Sequence, residues 1–252
     1  MQAEAILQAL KMAQQQNSIS TTTTKPLAEY GLDGVDCPRC HNTGAIVTKR
    51  EDGTLYAREC ECMAKRRSLR RIKLSNMSDM LQRYTFASYE TPDDTRKRIK
   101  EKALAFCQQQ DGWFYIAGKS GSGKSHICTA ICSSLIAQDK EVYYMSWRDE
   151  STAIKACVTD AAEYERRVNK LKRVAVLYID DFLKGGDSSA DIRLAFEILN
   201  ARYIDSKLRT IISSEHDISE IISKDEALGG RIYERSRGFT LKAPNENWRL
   251  RS

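Results

Sequence analysis

The chain has 252 residues, 41% of them hydrophobic, enough for one full core with something smaller attached. Charged residues make up 29% and the formal net charge is +6, an excess that suits an acidic partner such as nucleic acid but is also common in bland soluble proteins. No apolar run approaches the roughly 18 residues of a membrane span, and the N-terminus lacks the basic start and apolar middle of a secretory signal, so a cytoplasmic protein with no membrane partner is expected.

The opening "MQAEAILQALKMAQQQ" predicts a short amphipathic helix, with Ile6, Leu10 and Ala13 at helical spacing. "NSISTTTTKP" (Asn17 to Pro26) is polar and ends in proline, so it reads as a linker that closes a first segment, residues 1–30. Residues 31–75 form a second segment that carries two cysteine pairs, "CPRC" (Cys37, Cys40) and "CEC" (Cys60, Cys62). Two thiolates two or three residues apart can bite one metal, and two such pairs complete a tetrahedron; in a reducing compartment that favours structural Zn²⁺ over disulfides. His41 is a possible substitute ligand, but the four-cysteine set is simpler. The nineteen residues between the pairs contain "HNTG" and "EDGT", turn sequences that suit a zinc-ribbon hairpin. "MAKRRSLRRIK" (Met63 to Lys73) follows, with six basic residues and no acid. It is either a solvated helix face or a contact for nucleic acid or an acidic protein surface; without interleaved aromatics, base stacking is not suggested.

From about Tyr84 to Ser252, strand-like runs alternate with helix-like ones. The strand candidates are "WFYIAG" (Trp113 to Gly118), "VYYMSW" (Val142 to Trp147), "VAVLYID" (Val174 to Asp180), "RTIISS" (Arg209 to Ser214) and "GFTLK" (Gly238 to Lys242). They are rich in β-branched and aromatic residues, as strands buried on both faces of a parallel sheet are. In "DIRLAFEILNARYI", Ile192, Ala195, Phe196, Leu199 and Tyr203 fall on one helical face. The alternation predicts a three-layer α/β domain over residues 84–252. Cys107, Cys128, Cys132 and Cys157 lie in helical patterns and read as small core residues.

Gly118 to Ser125, "GKSGSGKS", fits the phosphate-binding loop G-x-x-x-x-G-K-[ST]. Gly118, Gly121 and Gly123 let the backbone curl around Lys119, Ser120 and Ser122 so that N–H groups converge on one anion. The following helix, which opens on Lys124, Ser125 and His126, adds the positive end of its dipole. Lys124 supplies a point charge to the β- and γ-phosphates of ATP, and the Ser125 hydroxyl is suited to Mg²⁺. "VAVLYIDDF" ends a buried strand in Asp180 and Asp181. Two acids there are costly without a cation beside them, so Asp180 is expected to hold Mg²⁺ and Asp181 to orient the attacking water. Asp181 is shorter than the Glu many such ATPases carry. In "RTIISSEHD" either Ser214 or Glu215 could face the γ-phosphate, or both could merely precede the helix that Asp217 caps. In "GGRIYERSRG", Arg231 and Arg235 share a helical face, either solvated or reaching a neighbouring subunit's ATP. About ten residues follow the last strand candidate, too few for a helical lid.

The order of these parts resembles the DnaC/DnaI group of AAA+ ATPases, the bacterial and phage replicative-helicase loaders. The resemblance rests on "CPRC" with "CEC" and its basic tail, "FYIAGKSGSGKSH", "VLYIDDF", "TIISSE", "GGRIYERS" and the terminal "NWRL". It implies a P-loop domain of AAA+ or RecA-like type, with a five-stranded, mostly parallel sheet, preceded by a small zinc-binding domain. It also implies ATP-dependent loading of a hexameric replicative helicase onto single-stranded DNA, with the N-terminal domain binding the helicase and the ATPase domain assembling with its neighbours. Glu215 then falls at the sensor-1 position, Arg235 at the arginine finger with Arg231 as a second trans-acting arginine, and Arg249 at a terminal arginine near the nucleotide. Two alternatives stay open: a transposition-helper ATPase of the IstB type and a P-loop kinase acting on a small molecule.

Overall fold

The computed structural model describes residues 36–50, 52–74, 78–185 and 188–248. The expected N-terminal helix, the linker and Arg249 lie outside them. The chain divides into two compact units, 1–70 and 71–252.

In the first unit, β1 (Ala45–Lys49) and β2 (Leu55–Glu59) form an antiparallel hairpin, with Ala45 opposite Glu59 and Lys49 opposite Leu55. The "EDGT" stretch makes its turn: Asp52 accepts from the backbone N–H and hydroxyl of Thr54, and Gly53 has φ +85°. Helix α1 (Cys62–Leu74) starts at the last cysteine of the second pair. Its basic residues are partly engaged inside the unit, since Arg66 is buried and donates to Asn42 Oδ1 at 2.7 Å, while Arg67 pairs with Glu59.

The second unit is a three-layer α/β domain. Its elements are α2 (Ser78–Arg83), α3 (Asp94–Gln108), β3 (Trp113–Ala117), α4 (Lys124–Ala137), β4 (Val142–Ser146), α5 (Trp147–Ala156), α6 (Ala161–Arg173), β5 (Val176–Phe182), α7 (Ser189–Ile204), β6 (Arg209–Ser214), α8 (Ile218–Lys224), α9 (Glu226–Arg235) and β7 (Thr240–Lys242). The sheet order is β4-β5-β6-β3-β7 and every neighbouring pair is parallel. All five residues of β3 are buried, because the strand is covered on both faces. Trp113, Tyr115 and Ala117 share one apolar cluster with residues of α5 to α9, such as Ile154, Leu171, Ile198, Ile221 and Ile232. Phe114 faces the other way and meets Phe106 of α3, with ring centroids 5.5 Å apart. Among the described residues no helix is long and apolar enough to cross a membrane.

Some sequence-based expectations shift. Val174 caps α6, so β5 begins at Val176 and runs on through both aspartates. The buried stripe of α7 is Asp191, Leu194, Ala195, Ile198, Leu199 and Arg202, with Ile192, Phe196 and Tyr203 at its margin. Arg202 is fully buried, and its guanidinium uses four of its five N–H donors on the carbonyls of Leu171, Val174 and Arg209 and the Thr210 hydroxyl. Cys107, Cys128 and Cys132 are core residues, whereas Cys157 sits half-buried at the C-cap of α5.

Candidate phosphate and metal sites

β3 delivers the chain into the glycine loop, and α4 leaves from it. Gly123 is the N-cap of α4 at φ +92°, a region that side chains with a Cβ disfavour, and no side chain bonds the helix start. The first N–H groups of α4 are therefore available to an anion. Gly121 lies at φ +79°, which disfavours a Cβ, and a Cβ there would stand 1.9 Å from Asn247 Oδ1, so that side chain would have to move. The Trp248 N–H donates to the Gly121 carbonyl at 2.9 Å, so the C-terminal segment is laced to the loop. Lys124 is buried, and its Nζ donates to the carbonyls of Gly118 (2.7 Å) and Lys119 (3.0 Å). Burial pushes its pKa down, and the nearby charges of Asp181, Glu215 and Asp180 oppose that shift. The Ser122 hydroxyl is buried without a hydrogen-bond partner, while Lys119 and Ser120 are exposed at the loop tip. The curled loop, the unpartnered Ser122 hydroxyl and the buried lysine fit a polyphosphate.

His126 is turned away from the loop. It stacks on Tyr84 at 4.7 Å, lies edge-on to Tyr89 at 5.1 Å, and its Nε2 lies 3.1 Å from the Thr85 carbonyl and 3.2 Å from Ser88 Oγ. Burial lowers its pKa. It thus pins the segment before α3 against α4. That segment lines a cavity of about 170 Å³ beside Gly123, with Tyr89, Arg96 and Trp248 among its walls.

Asp180 is the most densely bonded carboxylate of the site. Its Oδ1 accepts from Tyr178 OH (2.7 Å), Ser125 Oγ (3.2 Å) and the Ser213 hydroxyl, and Tyr144 OH lies 3.4 Å from Oδ2. Ser125 and Asp180 thus bring hard oxygen donors together from α4 and β5, the donor type that Mg²⁺ takes. Asp181 lies at φ +50° and pairs with Lys184 at 3.0 Å; Lys184 also pairs with Glu215 at 2.8 Å. Ser214 takes no part on this side, because its hydroxyl donates to the Phe182 carbonyl and accepts the His216 N–H. Asp217 caps α8 in a full capping box with Glu220. Tyr178, Ser213 and Lys184 escaped the sequence reading. The i, i+2 spacing of Tyr178 and Asp180 on one strand face is the single signal that could have found one of them.

Arg231 and Arg235 share a face of α9, directed to α7 and to the turn that follows it in their own chain. Arg231 donates to Asn200 Oδ1 (2.9 Å) and lies over the rings of Phe196 and Tyr203, and Arg235 donates to the Ser206 carbonyl (2.6 Å). Ser206 precedes β6, so Arg235 stands at the end of the sheet opposite the glycine loop.

In the first unit the sulfurs of Cys37, Cys40, Cys60 and Cys62 all lie within 4.8 Å of one another and all four residues are buried. Cys37 and Cys60 are 3.8 Å apart, Cys40 and Cys62 3.5 Å. Metal–sulfur bonds of about 2.3 Å at tetrahedral angles give sulfur edges of about 3.8 Å, so the set fits a closed Zn²⁺ site. Burial raises the Cys60 and Cys62 thiols. Burial acts the same way on Cys37, but the N–H groups of Cys40 and Arg39 and the neighbouring thiols outweigh it and bring its pKa to about 7. His41 stands in the turn after Cys40 at φ +46°, outside the cluster.

A parallel sheet with a glycine loop after an inner strand, β3, and paired acids ending a nearby strand, β5, defines a P-loop nucleotide-binding domain of the AAA+ kind. The chain belongs to the family of IstB-like ATP binding proteins, whose model matches residues 47–251, and is an ATPase of the DnaC/IstB type. It is 31% identical over 222 residues to the phage-like element PBSX protein XkdC of Bacillus subtilis, covering 82% of each chain. It is 26% identical over 200 residues to the replicative helicase loader DnaC of Escherichia coli K12, covering 76% of this chain and 79% of DnaC. Its fold matches the crystal structure of DnaI with a TM-score of 0.55 at 18% identity, over 67% of this chain and 92% of that one.

Proposed function

We propose that the protein uses ATP to load a hexameric replicative DNA helicase onto single-stranded DNA. The observation that carries this reading is the similarity to a replicative helicase loader across 79% of that loader's length. Residues Gly118 to Ser125 cradle the phosphates, and Lys124 leaves the Gly118 and Lys119 carbonyls for the β- and γ-phosphates. Ser125 and Asp180 hold Mg²⁺, which when bound neutralises charge on the phosphate oxygens. Asp181 orients and polarises water, with Glu215 beside it. Arg235, and with it Arg231, serves the ATP of a neighbouring copy, which fits a position remote from its own glycine loop. The cavity beside Gly123 has the location to take the base, with the Tyr89, His126 and Trp248 rings for stacking and Ser88, Glu90 and Arg96 for polar contacts. In the first unit the four cysteines hold structural Zn²⁺, and that unit binds the helicase.

The test mixes the full chain with the replicative helicase of its host, ATP, and single-stranded DNA coated with single-strand-binding protein. Helicase-dependent unwinding that requires the protein, together with co-purification of the two, is the expected result. No complex and no gain in unwinding would overturn the proposal. The IstB-like family match supports one second reading, a transposition helper. Duplex DNA binding with capture of a transposase in place of the helicase would favour it.

A further inference from the structure

We propose that Lys184 is a positioning residue for ATP hydrolysis: it holds Asp181 and Glu215, from the ends of two neighbouring strands, as one fixed pair beside the glycine loop. The proposal rests on reading Asp181 as the acid that orients water.

The argument starts from strand geometry. Successive residues of a regular strand point to opposite faces, so Asp180 and Asp181 should not serve one site. β5 breaks that rule with an inserted residue. Its register against β6 runs from Ile179↔Ile212 to Phe182↔Ser214, three steps on one strand against two on the other. Asp181 sits in this bulge at φ +50°, and Leu183 just beyond it is also left-handed at φ +59°. Neither is glycine, and such backbone persists only where surroundings enforce it. Here β6 enforces it: the Asp181 N–H donates to Ser213 Oγ at 3.1 Å, and Ser214 Oγ donates to the Phe182 carbonyl at 2.9 Å. Phe182 and Leu183 are buried and anchor the bend. The Lys184 N–H then closes a turn on the Asp181 carbonyl at 2.9 Å.

The outcome of this bend is the placement of Lys184. Its Nζ lies 3.0 Å from Asp181 Oδ2 and 2.8 Å from Glu215 Oε1. Two carboxylates at one end of a sheet repel, and a γ-phosphate would add to that repulsion. An ammonium between them removes the repulsion and limits both side chains to one arrangement. Lys184 engages Oδ2 of Asp181, so the other oxygen can still accept a hydrogen bond from water. The side chains of Lys184, Asp181 and Glu215 are 39%, 38% and 36% exposed, and ion pairs at that exposure often contribute little. An ordinary surface pair, however, needs no bulge, no left-handed non-glycine residues and no serine bonds to a strand end. The bond to Glu215 also lowers the pKa of that carboxyl and raises that of Lys184, as the geometry requires.

The experiment measures kcat and KM for ATP hydrolysis by the full chain with single-stranded DNA, and nucleotide affinity separately, for Asp181→Asn, Lys184→Met and Lys184→Arg. Asp181→Asn should lose on the order of a hundredfold in kcat. Lys184→Met should lose about tenfold in kcat, with nucleotide affinity within about twofold, because it loosens the acid without touching the cradle. Lys184→Arg keeps the charge and the reach and should recover most of that loss. A Lys184→Met kcat at or above that of the natural chain overturns the proposal, as does a loss confined to KM or one that arginine fails to rescue. Full activity in Asp181→Asn would remove the underlying reading and the proposal with it. Loss in Asp181→Asn beside full activity in Lys184→Met removes the proposal alone.

Discussion

Among the described residues of the cysteine unit the buried ones are four thiols and Arg66, and every residue of the two hairpin strands is partly or fully exposed. In the ATPase unit Trp113, Phe114, Tyr115, Leu177, Ile198 and Ile212 are each fully buried. One unit closes around sulfur and the other around hydrocarbon. The described part of the first unit is short, residues 36–50 and 52–70, and segments below about 40 residues rarely bury enough apolar surface to offset chain entropy without a metal or a cross-link. With Zn²⁺ in the four-cysteine site, as proposed, the cost of the first solution is dependence on an ion. The gain of the second is a rigid sheet whose strand ends can hold charged side chains against their own repulsion.

The largest expected effect strikes the first unit alone. Metal analysis of the purified chain should give about one zinc per chain. Cys37→Ser or Cys60→Ser should lose it and unfold the hairpin, because structural zinc supplies on the order of 10 kcal/mol to such folds. The thermal midpoint of the ATPase unit should barely move. A metal-free protein with four titratable N-terminal thiols, or loss of both units together, would break the comparison.

Lys124→Ala should do the reverse. It removes the buried cation of the glycine loop, so ATP binding should disappear while zinc content stays full. Native affinity in a fluorescent-nucleotide titration would refute the phosphate site.

Arg235 sharpens the comparison within the second unit. Arg235→Ala should leave ATP binding near normal and reduce the ATPase rate of the assembly by about a thousandfold. Mixed with Lys124→Ala subunits, which retain the arginine, it should regain partial activity. Absence of recovery in mixtures proved to co-assemble counts against a trans role.

The smallest effect is at Asp217. The Ser219 hydroxyl, the Glu220 N–H and Lys242 hold its carboxyl down from 3.8 to about 2. A depressed folded pKa gives stability that is present above the unfolded value, near pH 4, and lost as pH falls through about 2. Asp217→Asn keeps the helix cap but cannot titrate. The gap in thermal midpoint between the two proteins should therefore be widest above pH 4 and close below it. A gap that ignores pH would assign the carboxylate no electrostatic part.

Much of the ATPase unit was legible because its signals are local. β6 spans Arg209–Ser214 as its β-branched run predicts, and β3 falls within one residue of its expected end. The glycine loop needs its backbone at particular angles, and residues 118–125 carry that need in their own letters. The cysteine pairs are legible for the same reason, since bite distance is set by spacing along the chain.

What the sequence by itself determined was the five strands of the sheet, the phosphate loop, the thiol set and the strand-end acids, because propensity, turn chemistry and chelate spacing act within a few residues. Only the tertiary structure decided that Asp180 is enclosed by Tyr178, Ser213, Ser125 and Tyr144, and that Arg202 lies in the core. Only it decided that Ser214 turns away from the phosphate side and that a bulge brings Lys184 between Asp181 and Glu215. These outcomes depend on which strand lies beside which and in what register. That is a competition among distant segments for the same buried space, and no window of the sequence contains it.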